Sequence, residues 1–288
     1  MKKRYYLAAI VLLHACIKDP HPPLPPESPK ALLVKTVRIE SWSTDGEDQT
    51  FEMHEKYVDE YLYNGQNKPV ARRRYSSNFT GDTNQLTYDA YDTLFYDSRG
   101  RVKQVDFHDL HYQKQMSSYR FFYQGAATLI DQYELWTRWN NPHADTLTFN
   151  GRMTFKYVDS GVFRILPYPN GTGIDTIFYA YRNNNFQYIS FISLGLHPDD
   201  YHVEYDNKPN ASECFNLPQP TMVFPLPSMD VVRPLADKNN YIVRERNNNE
   251  GAPRILTYDT LGHPIHMLLP SPETFAKMQI RLEYRLLN

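Results

Sequence analysis

The stretch Tyr96-Asp97-Ser98-Arg99-Gly100-Arg101-Val102 decides the fold. An aromatic residue ends one alternating apolar run. A short Asp/Ser/Gly turn follows, and a basic and a β-branched residue then open the next run. Turn residues that tolerate unusual dihedrals, flanked by alternating runs, are the signature of a hairpin.

Units of this kind recur along most of the chain. Five runs place apolar residues at alternate positions leading to a tyrosine: Tyr119-Phe121-Tyr123, Met153-Phe155-Tyr157, Ile177-Tyr179-Tyr181, Tyr201-Val203-Tyr205 and Ile280-Leu282-Tyr284. A period of two puts each trio on one strand face. Arg120, Thr154, Lys156, His202, Glu204, Arg281 and Glu283 lie between them, so one face is expected buried and the other wet. Turn chemistry follows most of the tyrosines: Tyr63-Asn64-Gly65, Gln124-Gly125, Asp159-Ser160-Gly161, Asn183-Asn184-Asn185 and Tyr258-Asp259-Thr260-Leu261-Gly262-His263-Pro264. The 23 Tyr against 12 Gly favour strands whose rings pair across the sheet. No sustained helical period is present. The expected fold is all-β: an antiparallel meander of consecutive hairpins in a strongly twisted or rolled sheet with a Tyr-rich core.

Residues 207–240 interrupt the pattern. Pro209, Pro218, Pro220, Pro225, Pro227 and Pro234 exclude regular ladder pairing through the segment. Its apolar residues, among them Phe215, Met222 and Phe224, predict a long loop packed on the sheet. Short helical turns are admitted at Ser228–Asp237 and at Ser271-Pro272-Glu273-Thr274, where Ser can cap and Pro can open a helix.

The chain begins Met1-Lys2-Lys3-Arg4, continues with an apolar run from Tyr5 to Leu13 that is too short to cross a bilayer, and reaches Leu13-His14-Ala15-Cys16. This order resembles the signal and lipobox of bacterial lipoproteins. The resemblance implies a signal peptide over 1–15 and a lipidated Cys16. The other reading is an ordinary secretory signal containing a cysteine. Two or more acyl chains would make a stable membrane anchor. Residues 16–30 include Asp19-Pro20-His21-Pro22-Pro23-Leu24-Pro25-Pro26-Glu27-Ser28-Pro29, a polyproline-like spacer expected to hold the folded part off the membrane. Cys214 would then be the one free thiol, expected to be a small apolar core residue.

Residues 31–288 form the predicted single β domain. Tyr96 to Val102 and Tyr258 to Ile265 look like YD-repeat hairpins of the Rhs type. Tyr205-Asp206-Asn207-Lys208-Pro209-Asn210, the Pro-rich excursion, Asn239-Asn240 and a final hairpin are similar in order to YD-repeat-like lipoproteins of Bacteroidota. The resemblance implies a fold and an outer-membrane, lipid-anchored address, with the cell surface favoured over the periplasmic face. It carries no established activity.

Composition narrows the function classes. The chain has 31 Lys and Arg against 33 Asp and Glu, and removal of Lys2, Lys3 and Arg4 shifts the balance further to the acid side. A mildly acidic chain without a basic run is a poor nucleic-acid binder. There is no phosphate-binding glycine loop, Gly-x-Ser-x-Gly elbow or His-Glu-x-x-His helix, so no catalytic residue, metal or cofactor is expected and the chain reads as a non-enzyme. His108 and His111 are close, but on a strand they point to opposite faces. Asp92-Thr93-Leu94, Asp145-Thr146-Leu147, Asp175-Thr176-Ile177 and Asp259-Thr260-Leu261 resemble the O-glycosylation acceptor of exported Bacteroidota proteins, which makes Thr93, Thr146, Thr176 and Thr260 candidate modification sites; a turn followed by a strand start accounts for the same residues. Trp136 falls on the polar register with Gln132, Glu134 and Arg138, opposite Tyr133 and Leu135. Trp136, Arg138 and Gln132 therefore form the candidate ligand patch, suited to stacking on a sugar or anchoring a protein partner. A binding module for a glycan or an envelope protein is the leading expectation, and a structural or envelope-assembly lipoprotein without ligand is the alternative.

Overall fold

The computed structural model describes residues 32–44, 51–77, 85–125, 129–138, 141–159, 161–167, 174–182, 185–191, 201–210, 214–215, 239–246, 254–271 and 276–286. Cys16 and the spacer lie outside them, as do the helical turns expected at 228–237 and after Ser271. The compact unit is Leu32–Asn288.

Sixteen strands are described: β1 Leu32–Thr44, β2 Phe51–Tyr63, β3 Pro69–Ser77, β4 Leu86–Tyr96, β5 Val102–Asp109, β6 Lys114–Phe122, β7 Gln132–Thr137, β8 Thr148–Val158, β9 Gly161–Pro167, β10 Ile174–Arg182, β11 Asn185–Phe191, β12 Tyr201–Pro209, β13 Asn239–Arg246, β14 Ile255–Tyr258, β15 Pro264–Ser271 and β16 Ala276–Leu286. Fourteen make one antiparallel sheet ordered β11 through β1 in sequence, then β16, β15 and β14. The first strand thus pairs with the last, Leu32 opposite Leu286 and Ser43 opposite Ala276. The sheet ends at β11 and β14 and is not closed into a barrel; β12 and β13 form a separate hairpin-like pair. The expected all-β antiparallel meander is the fold observed.

A three-part local device explains why the tyrosine units fold alike. Asn64, Asp97 and Asp259 each follow a strand-ending tyrosine. Each side-chain Oδ1 accepts two backbone N–H groups: Gln66 and Lys68, Arg99 and Arg101, and Leu261 and His263. Satisfying two donors from one short side chain closes the turn without a regular ladder. The third residue after the Asx takes positive φ: Asn67 at 58°, Gly100 at 77° and Gly262 at 88°. Glycine and asparagine are the residues that tolerate this region. Each turn carries a register shift at its tyrosine, a bulge that adds local twist.

The tyrosine then reaches back across its own hairpin. Tyr63 donates its hydroxyl to Val34 O (2.7 Å), Tyr96 to Pro69 O (2.5 Å), Tyr123 to Val102 O (2.6 Å), Tyr157 to Ile130 O (2.8 Å) and Tyr284 to Pro264 O (2.6 Å). In every case the acceptor lies at or near the start of the partner strand. A cation closes over several rings: Lys68 over Tyr96 (5.4 Å), Arg101 over Tyr123 (4.3 Å) and Arg285 over Tyr63 (4.7 Å). Burial pushes the hydroxyl pKa of Tyr63, Tyr96, Tyr157 and Tyr284 up, so the donors keep their protons. These tyrosines define one end of the strands, called here the tyrosine rim.

The apolar face is the inner one. Val34, Val37, Ile39, Tyr61, Leu94, Val105, Phe121, Tyr133, Phe155, Val162, Met267, Ile280 and Leu282 join Cys214 and Phe215 in one buried cluster. Residues from both ends of the strand order meet in it, so the sheet is rolled. Phe215 is 2% exposed and meets Tyr61 edge-on at 4.9 Å between ring centroids. The 207–240 segment thus contributes core at Cys214 and Phe215, the described residues inside it after Asn210 and before Asn239. Cys214 is buried, as expected for a small apolar side chain.

Candidate functional site

The polar register of β5 to β8 lies on the outer face, and the pairing shows which side chains meet there. Gln104 is opposite Arg120, Arg120 opposite Glu134, and Glu134 opposite Arg152. The next row runs Asp106, Ser118, Trp136 and Phe149. Two neighbouring rows on four strands therefore bring three long polar side chains around one tryptophan.

Trp136 is half-buried. Its indole Nε1 donates to Glu134 Oε2 (3.1 Å), its ring meets Phe149 edge-on at 5.3 Å, and the Arg120 guanidinium lies 4.8 Å above it. Glu134 also accepts from Arg152 Nε (3.1 Å) and from Arg152 Nη2. Those Arg152 bonds hold the Glu134 carboxyl below the usual carboxylate range, against the opposing effect of burial. Glu134 is consumed by Arg152 and the indole. Arg120 remains exposed, with no hydrogen bond or ion pair to a described residue, and Phe149 is 47% exposed beside it. The cation–π contact holds the Arg120 guanidinium over the indole while leaving N–H donors open to solvent.

Of the patch expected from sequence, Trp136 and Gln132 lie on this face, with Gln132 half-buried between Phe122 and Thr154. Arg138 does not join them. β7 ends at Thr137, so the alternation that would have placed Arg138 beside Trp136 stops one residue short. The Arg138 side chain is buried; it donates to Ala144 O through Nη1 and to Asp145 O through Nη2 at 3.5 Å, and so holds the β7–β8 connection. Arg120 and Arg152 replace it. They were invisible to a reading along one strand because they come from its neighbours.

The four candidate threonines divide by exposure. Thr146 and Thr260 are exposed in turns, whereas Thr93 in β4 and Thr176 in β10 are half-buried within strands. His108 stacks on Tyr91 with ring centroids 4.4 Å apart and planes 2° from parallel. His111 lies in the following turn, edge-on to Tyr112. Burial pushes the His108 pKa down. No cluster of three His, Cys, Asp or Glu able to hold a metal ion occurs among the described residues.

A second constellation lies on the inner face, above the apolar cluster. Arg72 bridges two carboxylates, Asp59 Oδ2 at 3.3 Å and Asp92 Oδ2 at 2.5 Å. Arg74 adds Nε to Asp59 Oδ1 at 2.9 Å and Nη2 to Asp59 Oδ2 at 3.0 Å. Asp59, Arg72 and Asp92 are all nearly inaccessible to solvent. Burial pushes the Asp92 carboxyl up, against the pull of Arg72. Two acids and two bases neutralise one another, so the group is a self-contained ion network and leaves no charge for a ligand.

No protein-family model matches this chain, and no curated protein does. Among solved structures, a porin-like protein from Bacteroides uniformis ATCC 8492 is similar at a TM-score of 0.40 and 10% sequence identity, covering 88% of this chain and 98% of that one. That degree of likeness carries no functional argument. The alternation bears on it independently. A membrane-spanning barrel turns apolar residues outward to lipid. Here the central strands turn Gln104, Asp106, Arg120, Glu134 and Arg152 outward and keep Val105, Phe121, Tyr133 and Phe155 inside.

Proposed function

We propose that this chain is a lipid-anchored envelope protein acting as a binding module, with the outer-face patch around Trp136 as its ligand site. The observation that carries the reading is Arg120: an exposed guanidinium 4.8 Å over the Trp136 ring, in no ion pair with a carboxylate among the described residues, with the exposed Phe149 against the same indole. A saccharide suits this chemistry, because a sugar face can lie on an aromatic edge while its hydroxyls take the open N–H donors. Such a site gives modest affinity and no rate enhancement. Anchoring follows from the lipobox-like Leu13-His14-Ala15-Cys16 and the spacer behind it.

One observation favours the alternative, an assembly protein without ligand. Arg120 covers one face of the indole and Phe149 its edge, which is also how a tryptophan is packed by its own domain. Trp136→Ala and Arg120→Gln separate the two. Loss of retention on polysaccharide affinity gels with an unchanged melting temperature supports the binding site. A lowered melting temperature in Trp136→Ala, with no retention of the wild type, favours assembly. Globomycin treatment or Cys16→Ser tests the anchor; a Cys16→Ser protein that fractionates with membranes like the wild type sinks it.

A further inference from the structure

The tyrosine rim brings two features together. The first is apolar exposure. Phe95, Phe122, Val158, Leu261 and Leu286 are each 40% or more exposed. Each lies within three residues of a rim tyrosine: Tyr96, Tyr123, Tyr157, Tyr258 and Tyr284. Tyr88, Phe149, Ile174 and Ile255 are exposed as well, toward the other end of the strands, so apolar exposure matters at the rim only together with what lies beside it.

The second is charge. Lys35, Arg99, Lys103 and Arg285 are exposed at the same end, and none has a carboxylate within ion-pair distance among the described residues. Lys68 lies with them, over Tyr96 and donating to Gly100 O at 3.2 Å. Among the described residues, the exposed carboxylates there are Asp159 and Glu283. Rim acid Asp97 is already engaged by Arg101 at 2.7 Å, and Asp259 lies 3.4 Å from His263. The rim therefore combines uncompensated cations with exposed aromatic and aliphatic side chains. That pairing suits a membrane interface, where headgroup phosphates meet the cations and the boundary below accepts the apolar groups.

The rim is also where the chain enters the sheet. β1 starts at Leu32, and Val34 O is the acceptor of the Tyr63 hydroxyl. An extended spacer sets the largest distance the domain can stand from an anchor, not the smallest.

We infer that the tyrosine rim is a docking surface for an anionic phospholipid bilayer, through Lys35, Arg99, Lys103 and Arg285 together with Phe95, Phe122 and Leu261. This goes beyond the ligand patch, whose Trp136 lies further along the strands, and it does not depend on lipidation of Cys16.

The test uses the full chain carrying Cys16→Ser, so that no acyl chain contributes, with an environment-sensitive fluorophore on Leu261→Cys at the rim or on Thr146→Cys at the far end of the strands. The remaining thiol, Cys214, is buried. On adding phosphatidylglycerol–phosphatidylcholine vesicles, the Leu261 label shifts to the blue and the Thr146 label does not. Pure phosphatidylcholine gives a much weaker shift. Lys35→Glu with Lys103→Glu lowers vesicle affinity by about fivefold or more for each charge reversed, and high salt lowers it likewise. The docking surface is overturned by an unmoved Leu261 label, by equal shifts at both ends, or by a shift that ignores both salt and charge reversal. Because the protein is unlipidated, either result is independent of whether Cys16 is an anchor and of whether Trp136 binds a ligand.

Discussion

The inner face of the rolled sheet is solved twice. On β1, β5, β6, β8 and β16, Val37, Val105, Phe121, Phe155 and Leu282 bury apolar surface around Phe215. Across β2 to β4, on the same alternating register, Asp59, Arg72, Arg74 and Asp92 bury charge, with Asp59 opposite Val37. Tyr61 stands directly opposite Arg72, so the two solutions meet on adjacent strands. Apolar packing is non-directional and tolerates shape changes of modest size. An ion network tolerates none of its members being removed singly, because the charge left behind is desolvated and unpaired. The apolar region should therefore respond to mutation in proportion to lost volume, and the charged region in proportion to lost neutrality.

Breaking the charged region should have the largest effect. Arg72→Met leaves Asp59 and Asp92 buried with one fewer cation and is expected to destabilise the fold by about 3–5 kcal/mol, read from chemical denaturation. Combining it with Asp92→Asn leaves Asp59 paired with Arg74 and should recover much of that loss. If the double variant is no more stable than Arg72→Met, the charges are not the reason the arginine matters.

Phe215→Ala probes the other solution. Removing a fully buried aromatic side chain should cost about 3–5 kcal/mol, somewhat less if the cluster collapses into the gap. Phe215→Leu should recover most of it. The comparison sharpens if Arg72→Lys, which keeps charge but cannot fork to two carboxylates, remains severely destabilised while Phe215→Leu does not.

Smaller effects are expected from the reach-back bonds. Tyr96→Phe removes the donor to Pro69 O while keeping the ring under Lys68, and should cost about 1 kcal/mol by thermal denaturation. Tyr123→Phe should cost about the same, and the two should add, because their acceptors lie in different hairpins.

The least effect belongs to the turn acid Asp97. Slight burial opposes its ionisation, but the Arg101 and Arg99 amides and the Arg101 guanidinium outweigh it and hold its pKa below the ordinary value of 3.8. A carboxyl depressed in the folded state stabilises above its unfolded pKa, and that contribution fades as pH falls through the folded value. Titration by NMR should find Asp97 ionised below pH 3.8 in the native protein. Asp97→Asn should remove a small part of the stability difference between neutral and acid pH while keeping the turn, since an asparagine does the same work at position 64.

What the sequence disclosed follows the same division. Met153-Phe155-Tyr157 and Ile280-Leu282-Tyr284 could be placed on the buried face because strand periodicity and hydropathy agree there. The turns at Asp97 and Asp259 could be placed because Asx and glycine perform local chemistry within five residues. Arg72-Arg73-Arg74 could not be divided by hydropathy: Arg72 is buried, Arg73 is exposed, and only the opposing Asp59 and Asp92, thirteen and twenty positions away, decide which is which. Trp136 was assignable to its face and not to its neighbours, since Arg120 and Arg152 arrive from β6 and β8. Arg138 was misplaced by extending a period past the end of its strand.

The pairing of β1 with both β2 and β16 has a mechanical consequence. Its ladders run from Leu32 to Ser43 on one side and from Thr36 to Thr44 on the other. Inter-strand hydrogen bonds stand perpendicular to the strands. A pull on Leu32 directed along β1 would therefore load both ladders in shear, many bonds at once, instead of peeling an edge one bond at a time. The domain is built to be held by its first strand without unravelling from it.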